Sequence, residues 1–163
     1  MRLAPDTSRV SLLPVPNYLM PSMPHLSPSV LRFIRAARVA HLATADVKGQ
    51  PHVIPICFVF DGKHFYSPID EKPKRTGAAK LKRVINLQAN PQAALVIDRY
   101  SEDWTHLAYI LIRGTAKILH RGTAHAEAVR RLRRKYPQYR QMSIDTRPMI
   151  QIRPVRWISW GNP

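Results

Sequence analysis

The chain has 163 residues, 45% of them hydrophobic and 22% charged, which suits one globular domain large enough to bury a core. Its 26 Lys and Arg against 10 Asp and Glu give a formal net charge of +16, so phosphates, acidic ligands, nucleic acid and anionic membranes are all attracted. The single cysteine, Cys57, excludes an internal disulfide framework and a Cys-rich metal site, and no apolar run reaches the ~18 residues of a membrane span.

Residues 1–26 hold prolines at 5, 14, 16, 21 and 24, few charges and no periodicity. They are expected to form a disordered extension, leaving residues 27–163 as the folded domain. The N-terminus also lacks the uninterrupted apolar core of a secretory signal, and the cysteine usage suits a reducing compartment. A cytoplasmic protein with no membrane partner is therefore expected.

Order is predicted to begin at SPSVLRFIRAAR, with Ser27 as the helix N-cap, Pro28 in the first turn, and Val30, Phe33, Ile34 and Ala37 on one apolar face. VAHLATA (39–45) and PHVIPICFVF (51–60) read as strands around the turn DVKGQ. Asp61-Gly62 is a hairpin signal, and HFYSPI (64–69) returns as the next strand. A helix from about Ala78 to Ala89 follows, closed by Asn90-Pro91. AALVIDRY (93–100) and LAYILIRGTAKIL (107–119) are strands joined by SEDWTH. Thr123–Tyr136 reads as a helix stopped by Pro137, and PMIQIRPVRWISW (148–160) as a closing strand with Pro154 at a bulge or edge. Six or so strands in hairpin succession, with helices spliced between them, describe an α+β antiparallel barrel.

The usual catalytic constellations are missing. His41, His52 and His64 fall on separate strands, and His106, His120 and His125 lack ligand spacing, so structural or solvated roles are expected and no metal. Cys57 sits inside an apolar strand, where a thiol is inert more often than nucleophilic. No Ser–His–acid signature, GxGxxG or GxxxxGK[ST] occurs. A bound phosphate must then be held by side chains on a barrel rim.

Two basic clusters remain. RRLRRKYPQYR (130–140) is spread around a helix and reads as a solvated face, with nonspecific grip on nucleic acid as its alternative. The other places Lys72, Lys74, Arg75, Lys80, Lys82 and Arg83 directly after a strand and onto the start of a helix, with no acid between Lys72 and Arg83. There a helix N-terminus, a hydroxyl and several cations can converge on one anion. An RNA-binding barrel would interleave exposed aromatics with such charges, and only Phe65 and Tyr66 precede them, which disfavours nucleic acid as the partner.

The succession GQPHVIPICFVFDGKHFYSPID, NLQANPQAALVID, DW, RGTAKIL and RPMIQIRPVRWISWG resembles the pyridoxamine 5'-phosphate oxidase-like split β-barrel flavoproteins. The branch most similar is the one that uses the deazaflavin coenzyme F-420. The likeness covers about residues 31–161. It implies a split β-barrel of about six strands with intervening helices, a homodimer, and a cofactor in the groove between subunits. It implies Arg83, three residues before Asn86, as a phosphate ligand, where many members carry Lys. The family's other basic ligand falls near Leu81, which cannot serve, so Lys72, Lys74, Arg75 or Lys80 is expected to replace it. Pro55, Ile56 and Cys57 would line the flavin ring, and Ser67 and Pro68 the ribityl or phosphate part. Trp104 is either a core aromatic or stacks near the flavin or across the dimer. No side chain is expected to be obligately catalytic, because the chemistry belongs to the cofactor.

The implied activity is hydride transfer between coenzyme F-420 and a small organic substrate. The alternatives are an FMN oxidoreductase on the same fold and a non-catalytic barrel that binds cofactor or nucleic acid.

Overall fold

A computed structural model describes residues 26–70 and 81–163. All but the last residue of the expected N-terminal extension lies outside these residues, as do Lys72, Lys74, Arg75 and Lys80. The first helix, α1 (Pro28–Ala36), starts where the capping signal places it: Ser27 Oγ accepts from the Val30 N–H at 3.2 Å. Its apolar face seats Ile34 fully in the core, with Val30, Leu31, Phe33 and Ala37 packed beside it.

Seven strands follow among the described residues: β1 (Ala40–Ala45), β2 (Pro51–Ile56), β3 (Val59–Phe60), β4 (Phe65–Pro68), β5 (Gln92–Arg99), β6 (Ala108–Leu119) and β7 (Met149–Gly161). They form one antiparallel sheet in the order β2-β1-β5-β6-β7-β4-β3. The two edges, β2 and β3, are consecutive in the chain, so the sheet curls into a half-barrel whose opening the Cys57–Phe58 link crosses. This is the α+β split-barrel architecture the sequence implies, completed by α2 (Lys82–Ala89) and α3 (Thr123–Lys135).

Two elements differ from the sequence reading by more than a residue at their ends. Residues 51–60 were expected as one strand but form two. The Tyr136 hydroxyl accepts from the Phe58 N–H at 3.0 Å and lies 2.9 Å from the Phe58 carbonyl, so those backbone groups leave the ladder. The extra break makes seven strands where about six were expected. Helix α2 begins at Lys82 with Leu81 as its cap residue, so Leu81 does not extend the helical face. The part of the expected helix before Leu81 lies outside the described residues.

The curl encloses the main core: Leu42, Leu95, Ile97, Ile110 and Ile112 point inward from the strands, Phe58 and Phe65 close one side, and Val84 and Leu87 of α2 complete the packing. A second core lies on the other face of the β3-β4-β7 region. There Val129, Leu132, Tyr136 and Tyr139 of the α3 segment pack on Val59, Tyr66 and Met149. No helix among the described residues is long and apolar enough to cross a membrane.

The longest strand pair, β6–β7, shifts register at Arg113/Gly114, with Arg113 opposite Arg156 and Gly114 opposite Pro154, so Val155 is the bulged residue. Pro154 thus stands at the bulge. A Cβ on Gly114 would press into the Arg153 carbonyl, a backbone group that cannot swing away. Gly114→Ala should lower unfolding free energy by about 1–3 kcal/mol, as overpacking does, in equilibrium urea denaturation.

A candidate anion groove at the end of β4

The segment that follows β4 lies within electrostatic reach of the first turn of α2. Asp70 stands two residues beyond Pro68, the end of β4, and its charge acts on Arg83. Arg83 is half-buried on the first turn of α2, and desolvation pulls its guanidinium below its ordinary value while Asp70 pulls the other way. An arginine still carries its charge at any physiological pH.

The neighbouring cation is committed elsewhere. Lys82 Nζ meets Asp46 Oδ2 at 3.0 Å, and this bond is the largest influence holding the Asp46 carboxyl below its usual range. Asn86, one turn on, is fully buried and donates Nδ2 to Thr44 Oγ1 at 3.1 Å. These two contacts tie α2 to β1, and α2 in turn presents Arg83 toward Asp70.

Asp70 is held from its far side. The Tyr139 hydroxyl donates to Asp70 Oδ2 at 3.0 Å. Burial is the main cause that pushes the Tyr139 phenol up, helped by its hydrogen-bond neighbour Cys57 and by Asp70. Tyr139 therefore stays protonated and works as a donor. Cys57, Tyr139 and Asp70 form a polar line from the β2–β3 link, past the turn after α3, to the segment after β4, and the charge of Asp70 reaches Arg83 at the start of α2. The sequence reading passed over Asp70 and Tyr139. Tyr136 and Tyr139 flank Pro137 three apart, a spacing that hinted at a shared buried face.

The other residues singled out in the sequence are spread more widely. On β2 and just past it, Pro55 is exposed, Ile56 is buried in the barrel core, and Cys57 is half-buried beside the second core. Ser67 and Pro68 are both buried on β4, opposite Ile150 and Met149 of β7. Trp104 is 74% exposed on the β5–β6 connection, so it is not a core aromatic. It lies beyond the far end of β5 from α2, and eight extended residues span roughly 26 Å, so one subunit does not bring Trp104 to Arg83.

The outward face of the sheet carries a largely apolar band across five strands, interrupted by His41 and bordered by charged residues. The registers align Pro55, His41, Val96, Leu111 and Ile158 in one row. On one side the row Val53, Ala43 and Ala94 runs on to Arg113 and Arg156; on the other, Asp98 lies opposite Tyr109, which stacks on Trp160 at 5.8 Å with rings 19° apart. Val53, Tyr109 and Trp160 remain exposed. No group of three or more His, Cys, Asp or Glu among the described residues is arranged to hold a metal ion.

Several solved structures share this fold. The heme storage protein HutZ of Vibrio cholerae matches with a TM-score of 0.64 and 15% identity, covering 83% of this chain and 94% of that one. The conserved hypothetical protein Rv2991 of Mycobacterium tuberculosis matches with a TM-score of 0.68 and 21% identity over 84% of this chain and 86% of that one. A structure described as an F-420 reductase matches with a TM-score of 0.58 and 20% identity, over 78% of this chain and 94% of that one. At these identities the likeness establishes the fold alone. No curated protein matches the chain. The model of the pyridoxamine 5'-phosphate oxidase family spans residues 26–161, which takes in every described element from α1 to β7. The chain belongs to the pyridoxamine 5'-phosphate oxidase family.

Proposed function

We infer that this protein is an oxidoreductase that moves a hydride between the deazaflavin coenzyme F-420 and a small organic substrate, acting as a homodimer. The observation that carries this reading is Arg83. A guanidinium kept half-desolvated at a helix N-terminus, with the nearby Asp70 carboxylate engaged by Tyr139 and no ion pair to an acid among the described residues, retains capacity for a phosphate oxygen. Lys72, Lys74, Arg75 and Lys80 precede Arg83 in the chain and would extend the same positive field along a polyanionic ligand. In this reading the buried Ser67 and Pro68 shape the floor near the phosphate, and Pro55 and Cys57 lie beside the ring with Ile56 backing them from the core.

The coenzyme, when bound, supplies the hydride-transfer chemistry. The residues of the chain bind it, orient it and limit water. The apolar row through Val96 and Leu111 is the face a second subunit covers, since a patch of this extent on a lone barrel is costly to leave wet. In such a dimer Trp104, remote from its own Arg83, would serve the groove of the other subunit.

FMN is the competing occupant, because its phosphate suits the same arginine. Fluorescence titration distinguishes them: F-420 should show the lower dissociation constant, since its phosphodiester and oligoglutamate tail place more negative charge in a basic groove. A lower constant for FMN would move the protein to the flavin side of the family.

A further inference from the structure

A second concentration of charge lies away from Arg83. The C-terminal turns of α1 and α3 face each other across β3, leaving a cleft of about 250 Å³. Arg35 of α1 and Arg131, Arg134 and Lys135 of α3 line it, over a floor of Val59 and Phe60. Arg131 is paired with Glu127 at 3.0 Å. Among the described residues, Arg35, Arg134 and Lys135 have no acidic partner. Arg38 adds a further cation at the rim: it donates to the Lys135 carbonyl and lies over the Tyr136 ring.

Lysines and arginines at helix C-termini are ordinarily solvated, and that accounts for Arg134. It does not account for Lys135. Its ammonium is half-buried, 4.1 Å from the centroid of the Phe58 ring, in the field of a like charge, Arg38. Desolvation, with Arg38 second, holds its pKa at about 8, and nearby Cys57 pulls the other way. The folded state therefore binds this proton less tightly than the unfolded chain does. Below about pH 8 the desolvated charge costs stability, and the cost fades as pH rises toward the ordinary lysine value of 10.5. The Phe58 and Tyr136 rings offset part of this cost, and a cation without an acidic partner becomes more favourable still when an anion completes the site.

We propose that the cleft between α1, β3 and α3 is a binding site for an oligophosphate group, the pyrophosphate or triphosphate moiety of a small ligand, separate from the groove at Arg83. Charge and size favour this class. Three unpaired cations with Arg131 behind them match three to four negative charges, and guanidinium forks suit phosphate oxygens two at a time. The cleft has room for a chain of two or three phosphates but not for a folded partner.

Inorganic triphosphate and pyrophosphate, titrated calorimetrically into the full-length protein at physiological ionic strength, test this. Triphosphate should bind with defined stoichiometry and more tightly than monophosphate. Arg35→Ala combined with Arg134→Ala should weaken it by about ten-fold or more. The control Lys48→Ala combined with Lys63→Ala removes the same charge from exposed turns and should change it less than about two-fold. Lys135→Met keeps the length and the contact with Phe58 but not the charge. It should also weaken triphosphate by about ten-fold or more, while raising the melting temperature at pH 7, with the gain closing above about pH 10. A lower melting temperature for Lys135→Met, equal losses in the two double variants, or no saturable triphosphate binding would each overturn the proposal. So would tighter binding of a single-stranded oligonucleotide with a steep salt dependence, which would assign the cleft to nucleic acid.

Discussion

Leu111→Asp should turn the protein from a dimer into a folded monomer. Leu111 sits mid-row on the outward face, between Val96 of β5 and Ile158 of β7. In a two-fold interface the same patch meets itself, so one substitution places a carboxylate on each side of an apolar contact. Taking an unpaired charge out of water there costs several kcal/mol, and about 4 kcal/mol already raises a dissociation constant roughly a thousandfold. The inward-facing neighbours Ile110 and Ile112 are untouched, so the barrel core stays intact. Light scattering at micromolar concentration should report a dimer for the parent chain and a monomer for the variant. Circular dichroism should show the same strand content in both. A parent chain that is already a monomer would remove the dimer from the account.

Arg83→Ala should weaken cofactor binding by about ten- to over a hundred-fold. A charge-assisted hydrogen bond to a partly desolvated group contributes roughly 1.5–3 kcal/mol. The comparison is with Arg130→Ala, another arginine of this basic chain. Arg130 is exposed on α3 and tied to Glu127, so its loss should change cofactor affinity only through the screened overall field, by well under 1 kcal/mol at physiological salt. Fluorescence titration of both variants reads the difference directly. Equal, small losses that vanish at high salt would make Arg83 a surface charge with no pocket of its own.

Much of the fold was legible in the sequence because its signals are local. The Ser27-Pro28 start of α1, the Asp61-Gly62 hairpin and the strand periodicity of residues 93–100 and 107–119 follow from capping, turn chemistry and alternation. The break after Ile56 was not legible. Pro55 is a weak local hint within PHVIPICFVF, but the break itself lies at Phe58, whose backbone is claimed by the hydroxyl of Tyr136, 78 residues on. The placement of Trp104 had a similar limit, since an aromatic in a loop carries no periodicity to show which way it faces. For the site, the strand-to-helix cluster pointed to Arg83. Its surroundings came from elsewhere in the chain: Asp70 is restrained by Tyr139 across 69 residues, inside a stretch that reads as plain basic helix. The cluster RRLRRKYPQYR was expected to be a solvated face. The structure divides it: Arg130 and Arg134 are exposed, Leu132, Tyr136 and Tyr139 are core, and Lys135 is half-buried against Phe58. Sequence order could not make that division, because it depends on how the end of α3 meets the β2–β3 link.

The groove at Arg83 is expected to hold a phosphate-bearing flavin or deazaflavin. Equilibrium dialysis of the purified protein against an equimolar mixture of F-420, FMN and hemin tests it most directly, with the retained chromophore identified by its spectrum after denaturation. F-420 should be retained at about one per subunit, and Arg83→Ala should lose most of it. Retention of hemin by the parent chain, unchanged in Arg83→Ala and with neither flavin species bound, would contradict this expectation.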